Sequence, residues 1–305
     1  MIEDHANLSI QAMRGDYIEE EHDISACLCD ATGFVKARIG QPHVTTWRSA
    51  AKPFQLEACL TMLPRGVVES LSPQEIAVGA SSHSGEPQHV DTVRGLMSKL
   101  GVSEPDLRCG AHLPMHQGSH HALIASGGQA EPIHNNCSGK HTFMLATCNT
   151  LELDTANYLK PDHPVQQLIY NLIQLRTSRG IVERVVDGCG VPCFVLPLQS
   201  MARAWAQLAV NHGEMTALGR ISQAMKDHPE QVSGTDRLDL QINHRSNQAL
   251  ITKIGAAGLL CGAVPSMGLG FAIKVASGSE ATRPAAAYAV LDRWFPGLVD
   301  HKSDF

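Results

Sequence analysis

Ser49 and Lys52 stand three positions apart in the stretch TTWRSAAKPFQ, with a proline directly after the lysine. Residues i and i+3 are neighbours on a helix, so this spacing would present a hydroxyl and an amine together. At a helix start the positive end of the macrodipole favours a neutral amine and a developing alkoxide. A neutral amine could take the serine proton and leave a nucleophile able to attack a carbonyl carbon. Arg48 flanks the pair and could bind a substrate carboxylate, or could simply cap the local structure. Two further stretches gather chemistry-bearing side chains. HNNCSGKHTF holds Cys137, Lys140 and His141, and VVDGCGVPCF holds Asp187, Cys189 and Cys193. Thiolates are good zinc ligands, and two cysteines with one nitrogen would leave a fourth coordination position open. The same cysteines could equally be small buried hydrophobes. Spacing alone does not choose between the two.

A lone Ser-x-x-Lys arises by chance in a chain of 305 residues. Its company here makes it specific. Serine β-lactamases and penicillin-binding proteins combine Ser-x-x-Lys with a second serine motif and a Lys-Thr-Gly on a late strand. This chain has SSHSGE at 81–86, and Lys253-Ile254-Gly255 in a strand-like region near its C-terminus. His83 sits inside the second serine motif and is a candidate site residue for that reason. The other histidines show no metal-binding helical spacing such as His-Glu-x-x-His. Cys27, Cys29, Cys59, Cys109, Cys148 and Cys261 lie in apolar runs and are assigned to the core.

These residues need a scaffold. DISACLCDATGFVKARIG alternates and breaks at DATG, which predicts two antiparallel strands over about 24–30 and 34–40. A helical pattern follows from Ser49 to Leu63. Ser72, Pro73 and Glu75 form a helix-start signature, and a helix over 87–100 should close at Gly101. Helices are expected over 137–151, from Val165 through an amphipathic stripe, and over about 199–211 and 213–227. Strand-like runs return at QALITKIGAAGLLCGAV and GLGFAIKVASG, and RPAAAYAVLDRWF closes as a helix. The expected architecture is α/β (α+β). One domain spans 1–305, with an antiparallel sheet of N- and C-terminal strands flanked by helices and a helical middle region.

Composition narrows the function class. A net charge of −6 with no basic cluster argues against a nucleic-acid partner. No run of about 18 apolar residues predicts a membrane span. The opening MIEDHANLSIQAM has no positive or apolar signal region, and nine cysteines is an odd number. Both suggest a reducing cytoplasm rather than a disulfide framework.

RSAAKPFQ, SSHSGEPQHV, LRCGAHLP, HNNCSGKHTF, DGCGVPCF, KIGAAG and GLGFAIKVASG, taken in order, resemble the Rhizobium-type L-asparaginase II family, a class 3 asparaginase group related to serine β-lactamases and glutaminases. The resemblance implies a serine β-lactamase/penicillin-binding-protein-like fold and hydrolysis of L-asparagine to L-aspartate and ammonia. It implies two Ser–Lys tandems, Ser49 with Lys52 and Ser82 with Lys253, Ser82 being preferred to Ser81 because the family serine directly precedes the histidine. It also implies a zinc ion near the substrate, held by Cys137, Lys140 and Cys189 with Asp187 behind them, and a homodimer. Where family members have Lys-Thr-Gly-Ala-Glu-Gly this chain has KIGAAG, so a hydroxyl at 254 and an acidic residue at 257 are missing. These departures bear on rate and affinity more than on reaction type. The leading expectation is an amidohydrolase working through an acyl-enzyme. The alternatives are another serine acyl-transfer hydrolase of the penicillin-binding type and a non-catalytic zinc-binding scaffold.

Overall fold

The computed structural model describes residues 7–300. Three strands come early, β1 (Leu8–Arg14), β2 (Tyr17–Asp30) and β3 (Val35–Ile39), followed by the short β4 (Val44–Thr46) and a 3-10 turn over Arg48–Ala51. The helical stretch contains α1 (Lys52–Met62), α2 (Arg65–Ser70), α3 (Pro73–Gly79), α4 (Pro87–Leu100), α5 (Gln117–Ala125), α6 (Ser138–Thr150) and α7 (Pro164–Arg176). It is interrupted by β5 (Glu183–Val186) and β6 (Pro192–Pro197). It resumes with α8 (Leu198–Val210), α9 (Ala217–Asp227), α10 (Pro229–Val232) and α11 (Leu238–Arg245). The strands β7 (Ile251–Gly255), β8 (Leu259–Val264) and β9 (Leu269–Val275) and the helix α12 (Arg283–Trp294) complete the described chain.

The main sheet is antiparallel and joins the two ends of the chain in the order β1-β2-β9-β8-β7, with β3 on the same edge of β2 as β1. The second half of β2 is buried on both faces because helices cover both. Ile24, Ala26 and Leu28 face one core with Phe271, Ile273 and residues of α12 such as Leu291 and Trp294. Cys27 and Cys29 face the other with Cys261, Ala263 and Ala272. That second face is built of small side chains because α8 crosses it closely. A β-carbon on Gly270 would lie 2.1 Å from the Ala206 backbone nitrogen. All nine cysteines are free and buried, and those on this face act as small core groups. The large groups come from the helices: Trp205 is fully buried and meets Phe54 edge-on at 6.0 Å. Each such side chain contributes roughly 1.5–3 kcal/mol through burial.

The helix-start signature at Ser72 is a capping box: the Ser72 hydroxyl accepts from Glu75 N, and the Glu75 carboxylate accepts from Ser72 N. It fixes the direction of α3, whose far end leads into the second serine motif.

The structure corrects the expected middle region, which is not purely helical. β4, β6 and β5 form a separate three-stranded antiparallel sheet. Its outer strands carry no readable pattern, since β4 has three residues and β5 is largely exposed. This small sheet matters for the site: β4 delivers the chain to Ser49, and the turn between β5 and β6 carries Asp187 and Cys189. The Trp47 amide donates to Phe194 O at 2.8 Å and ties the two together. β1 and the first half of β2 also extend the main sheet beyond the expected strand, as a largely exposed hairpin from which Leu8 and Ile10 pack against the core.

Candidate active site

Ser49 lies in the 3-10 turn and Lys52 opens α1. Arg48, just before the serine, has φ of +48°, a left-handed conformation rare outside glycine and found mostly where surrounding structure enforces it. Lys52 is fully buried, and its Nζ lies 2.5 Å from Ser81 O, 3.1 Å from Asn136 O and 2.9 Å from Ser82 Oγ. Two of these acceptors are carbonyls, which only accept. The third acceptor is the Ser82 hydroxyl. Among the described residues no hydrogen bond joins Lys52 to Ser49; the amine bridges to the second serine motif instead.

That motif follows α3 in a buried segment. The Ser81 hydroxyl donates back to Val78 O at 2.7 Å, as a serine closing a helical turn does. Ser82 is thereby the serine turned to the cleft. His83 is buried and does not line the cleft. Its Nδ1 accepts from Gly85 N at 3.2 Å and its Nε2 is 2.8 Å from Ser138 Oγ, an arrangement that puts the ring proton on Nε2. Burial, reinforced by neighbouring His89 and Lys52, holds this imidazole neutral, well below its usual range. The role expected for His83 against the substrate is not what this geometry offers. It pins the second serine motif to the start of α6.

Lys253, on β7, is fully buried with its Nζ 3.5 Å from Asp239 Oδ2 and 3.3 Å from Ile254 O. Burial drives its amine down to about 7, Asp239 opposing the shift and Lys52 and Arg237 adding to it. A lysine with that value is partly unprotonated near neutral pH and can exchange protons. No hydrogen bond joins Lys253 to Ser82 among the described residues. Asp239 also accepts from Ile254 N at 2.9 Å, so one carboxylate from the start of α11 fixes both the lysine and its strand.

Ser49 and Ser82 open onto one cleft of ≈ 90 Å³, whose walls include Asn136, Arg237 and Glu280. Larger grooves of ≈ 640 and ≈ 660 Å³ lie elsewhere and contain none of these serines or lysines. Chemistry, not size, singles out this cleft as the candidate site. At the cleft edge the Glu280 carboxylate accepts from Ala257 N at 3.1 Å.

Beside the cleft, Cys137 precedes α6, Lys140 sits in its first turn, and Cys189 comes from the turn after β5. Lys140 Nζ lies 3.2 Å from Cys189 Sγ. The hydrogen bond from Cys137, with Lys140 assisting against burial, brings the Cys189 thiol down to about 5. The same hydrogen bond and burial push Cys137 up to about 12. Burial opposes a charge on Lys140, but Cys189, Cys137 and Asp187 outweigh it and move the amine upward. Two thiols and an amine thus converge on one point, a donor set that fits a zinc ion with a position left free. Among the described residues no group of three or more His, Cys, Asp and Glu side chains is placed to hold a metal, so any metal here needs the lysine. His141, the other nitrogen in that stretch, hydrogen-bonds Tyr158 Oη at 2.6 Å. Cys193 is a buried part of β6. Asp187 Oδ1 accepts from Arg48 Nε and from Gly188 N, each at 2.8 Å. Arg48 is thus engaged with the turn that carries Cys189.

Close packing brings this cluster to the cleft. A β-carbon on Gly139 would stand 2.4 Å from Val78 O, so only glycine lets α6 approach α3 this tightly. Asp239, Asn136, Arg237 and Glu280 were not singled out from the sequence. The one available signal was the requirement that a buried Lys253 have a carboxylate partner, and no spacing identifies which of the chain's acids supplies it.

Solved structures match the chain at low similarity. One is described as a β-lactamase from Mycobacterium bovis, 11% identical, covering 89% of this chain and 94% of that one with a TM-score of 0.46. A second, described as Mglu in its glutamate form, is 15% identical, covers 92% of this chain and 62% of that one, and has a TM-score of 0.41. A third, described as a probable glutaminase, is 13% identical with coverages of 87% and 83% and a TM-score of 0.38. No curated protein sequence matches the chain. The family described as L-asparaginase II matches residues 10–302. The chain belongs to that family, and with it to the amidohydrolases.

Proposed function

We propose that the protein hydrolyses L-asparagine to L-aspartate and ammonia through an acyl-enzyme on Ser49. Lys52, bonded to the Ser82 hydroxyl beside the cleft that Ser49 shares, is the observation that carries this reading. In the first half-reaction Ser49 gives its proton to Lys52 and its oxygen bonds to the side-chain amide carbon. The C–N bond then breaks, and the departing nitrogen takes a proton from Ser82, which Lys52 replaces. In the second half-reaction water attacks the ester, aspartate leaves, and Ser49 recovers its proton. Lys253 completes the relay as a second amine able to hold or release a proton near neutral pH. Backbone N–H groups near the start of α1 would stabilise the oxyanion.

Cys137, Lys140 and Cys189 would hold a zinc ion. When bound, it would supply a positive charge that fixes a polar group of the substrate. Asp187 would orient this cluster through Arg48 and the Gly188 amide.

Ammonia release from L-asparagine by the purified protein tests the reaction. Ser49→Ala should lower it by several orders of magnitude while the circular dichroism spectrum stays unchanged. A folded Ser49→Ala protein with near wild-type activity would remove Ser49 as nucleophile. Turnover of esters or peptides without asparagine would favour a penicillin-binding-type hydrolase, and zinc binding without any turnover a scaffold.

A further inference from the structure

The structure assigns recognition of the substrate's α-carboxylate to Arg237, a deepening that rests on the reading of this cleft as an amino-acid amidase site. Arg237 lines the cleft together with Ser49 and Ser82. Its Nε is buried and makes no hydrogen bond. Among the described residues its side chain has neither an ion-pair partner nor a hydrogen-bond acceptor. A buried guanidinium nitrogen left in this state is costly, and an anion arriving from the cleft would relieve it. The planar fork of arginine matches the two oxygens of a carboxylate.

The neighbouring charges are already engaged. Asp239, two residues on, accepts from Ile254 N and lies against Lys253. Glu280 accepts from Ala257 N. Arg283, also in the cleft wall, donates to Gly255 O at 3.0 Å and lies 4.0 Å from Glu280. Arg48, the arginine next to the nucleophile, is bound to Asp187 at 2.8 Å and is not part of the cleft wall. Arg237 is therefore the cation in the wall with no internal partner. A substrate whose carboxylate lies on Arg237 and whose amide lies at Ser49 has a free α-carboxylate and is not amidated or peptide-linked through that group.

The test compares L-asparagine with asparaginamide, in which the α-carboxylate is replaced by an uncharged amide. Wild type, Arg237→Gln, Arg237→Lys and Arg48→Gln are assayed on both. Arg237→Gln should raise KM for L-asparagine about tenfold or more, the scale of a lost charge-assisted bond. Its kcat/KM on asparaginamide should stay within about threefold of wild type. Arg237→Lys, which keeps the charge and loses the fork, should fall between. Equal losses on both substrates, or a carboxylate preference removed by Arg48→Gln and not by Arg237→Gln, would overturn the assignment. A calorimetric titration with L-aspartate gives an arm independent of turnover: Arg237→Gln should bind at least about tenfold more weakly. Equal affinity in the two proteins, or no binding to wild type, would also overturn it. Absence of ammonia release by wild type would sink the proposed reaction, while the aspartate titration would still decide the role of Arg237.

Discussion

Asp239→Asn isolates the charge beside Lys253 with little change of shape. Asparagine keeps the Oδ1 that accepts from Ile254 N at 2.9 Å, so the strand should stay in place. What is lost is a negative charge 3.5 Å from the Lys253 amine. At an effective dielectric of about 20, two unit charges at that distance interact by about 5 kcal/mol, which corresponds to more than three pKa units. Entry of water and local relaxation reduce this, and a shift of about one to two units is expected. The direction follows from the chemistry. The carboxylate favours the ammonium form, so removing it lowers the Lys253 value below its present level of about 7. The free amine then persists to lower pH, and the acid limb of kcat/KM against pH should move down. The assay is ammonia release under kcat/KM conditions from about pH 5 to 9, for wild type, Asp239→Asn and Lys253→Met. An acid limb that stays in place or moves up in Asp239→Asn would refute the electrostatic argument. A limb retained near pH 7 in Lys253→Met would show that another group controls it.

Elemental analysis should find about one zinc per chain in wild type and a large loss in Cys137→Ser and Cys189→Ser; full zinc in both variants would remove the site. Extraction with a chelator should raise KM for L-asparagine more than it lowers kcat and should leave the fold intact; melting on extraction would instead make the metal structural. Gly139→Ala places a β-carbon against the Val78 carbonyl and should lower stability in urea by about 1–3 kcal/mol. Because it pushes the start of α6 away from α3, it should also reduce activity; wild-type stability would mean that the two helices separate without cost.

Much of the helical framework was legible in the sequence because its signals are local. Ser72 and Glu75 complete a capping box over four residues, and Gly101 ends α4 where the pattern stopped. The second half of β2 reads as a strand because Ile24, Ala26 and Leu28 alternate with the small groups at 25, 27 and 29. The sheet of β4, β5 and β6 was not legible. Its outer strands hold their place through pairing to β6 rather than through any pattern of their own, and it is this sheet that sets Cys189 beside the Ser49 turn.

By itself the sequence determined the inventory: Ser49, Lys52, Lys253, the two cysteine-bearing turns and the choice of family. These are facts of residue type and short spacing, and a motif of three or four positions carries them whole. Only the tertiary structure decided who touches whom. Lys52 reaches across 30 positions to Ser82, Asp239 rather than another acid sits by Lys253, and Arg48 is bound to Asp187 while Arg237 faces the cleft without a partner. A buried amine must find acceptors because leaving it unpaired is costly, and that requirement is visible in the sequence. Which acceptors it finds depends on how helices and sheets pack, down to the missing β-carbon of Gly139, and packing is a property of the whole chain.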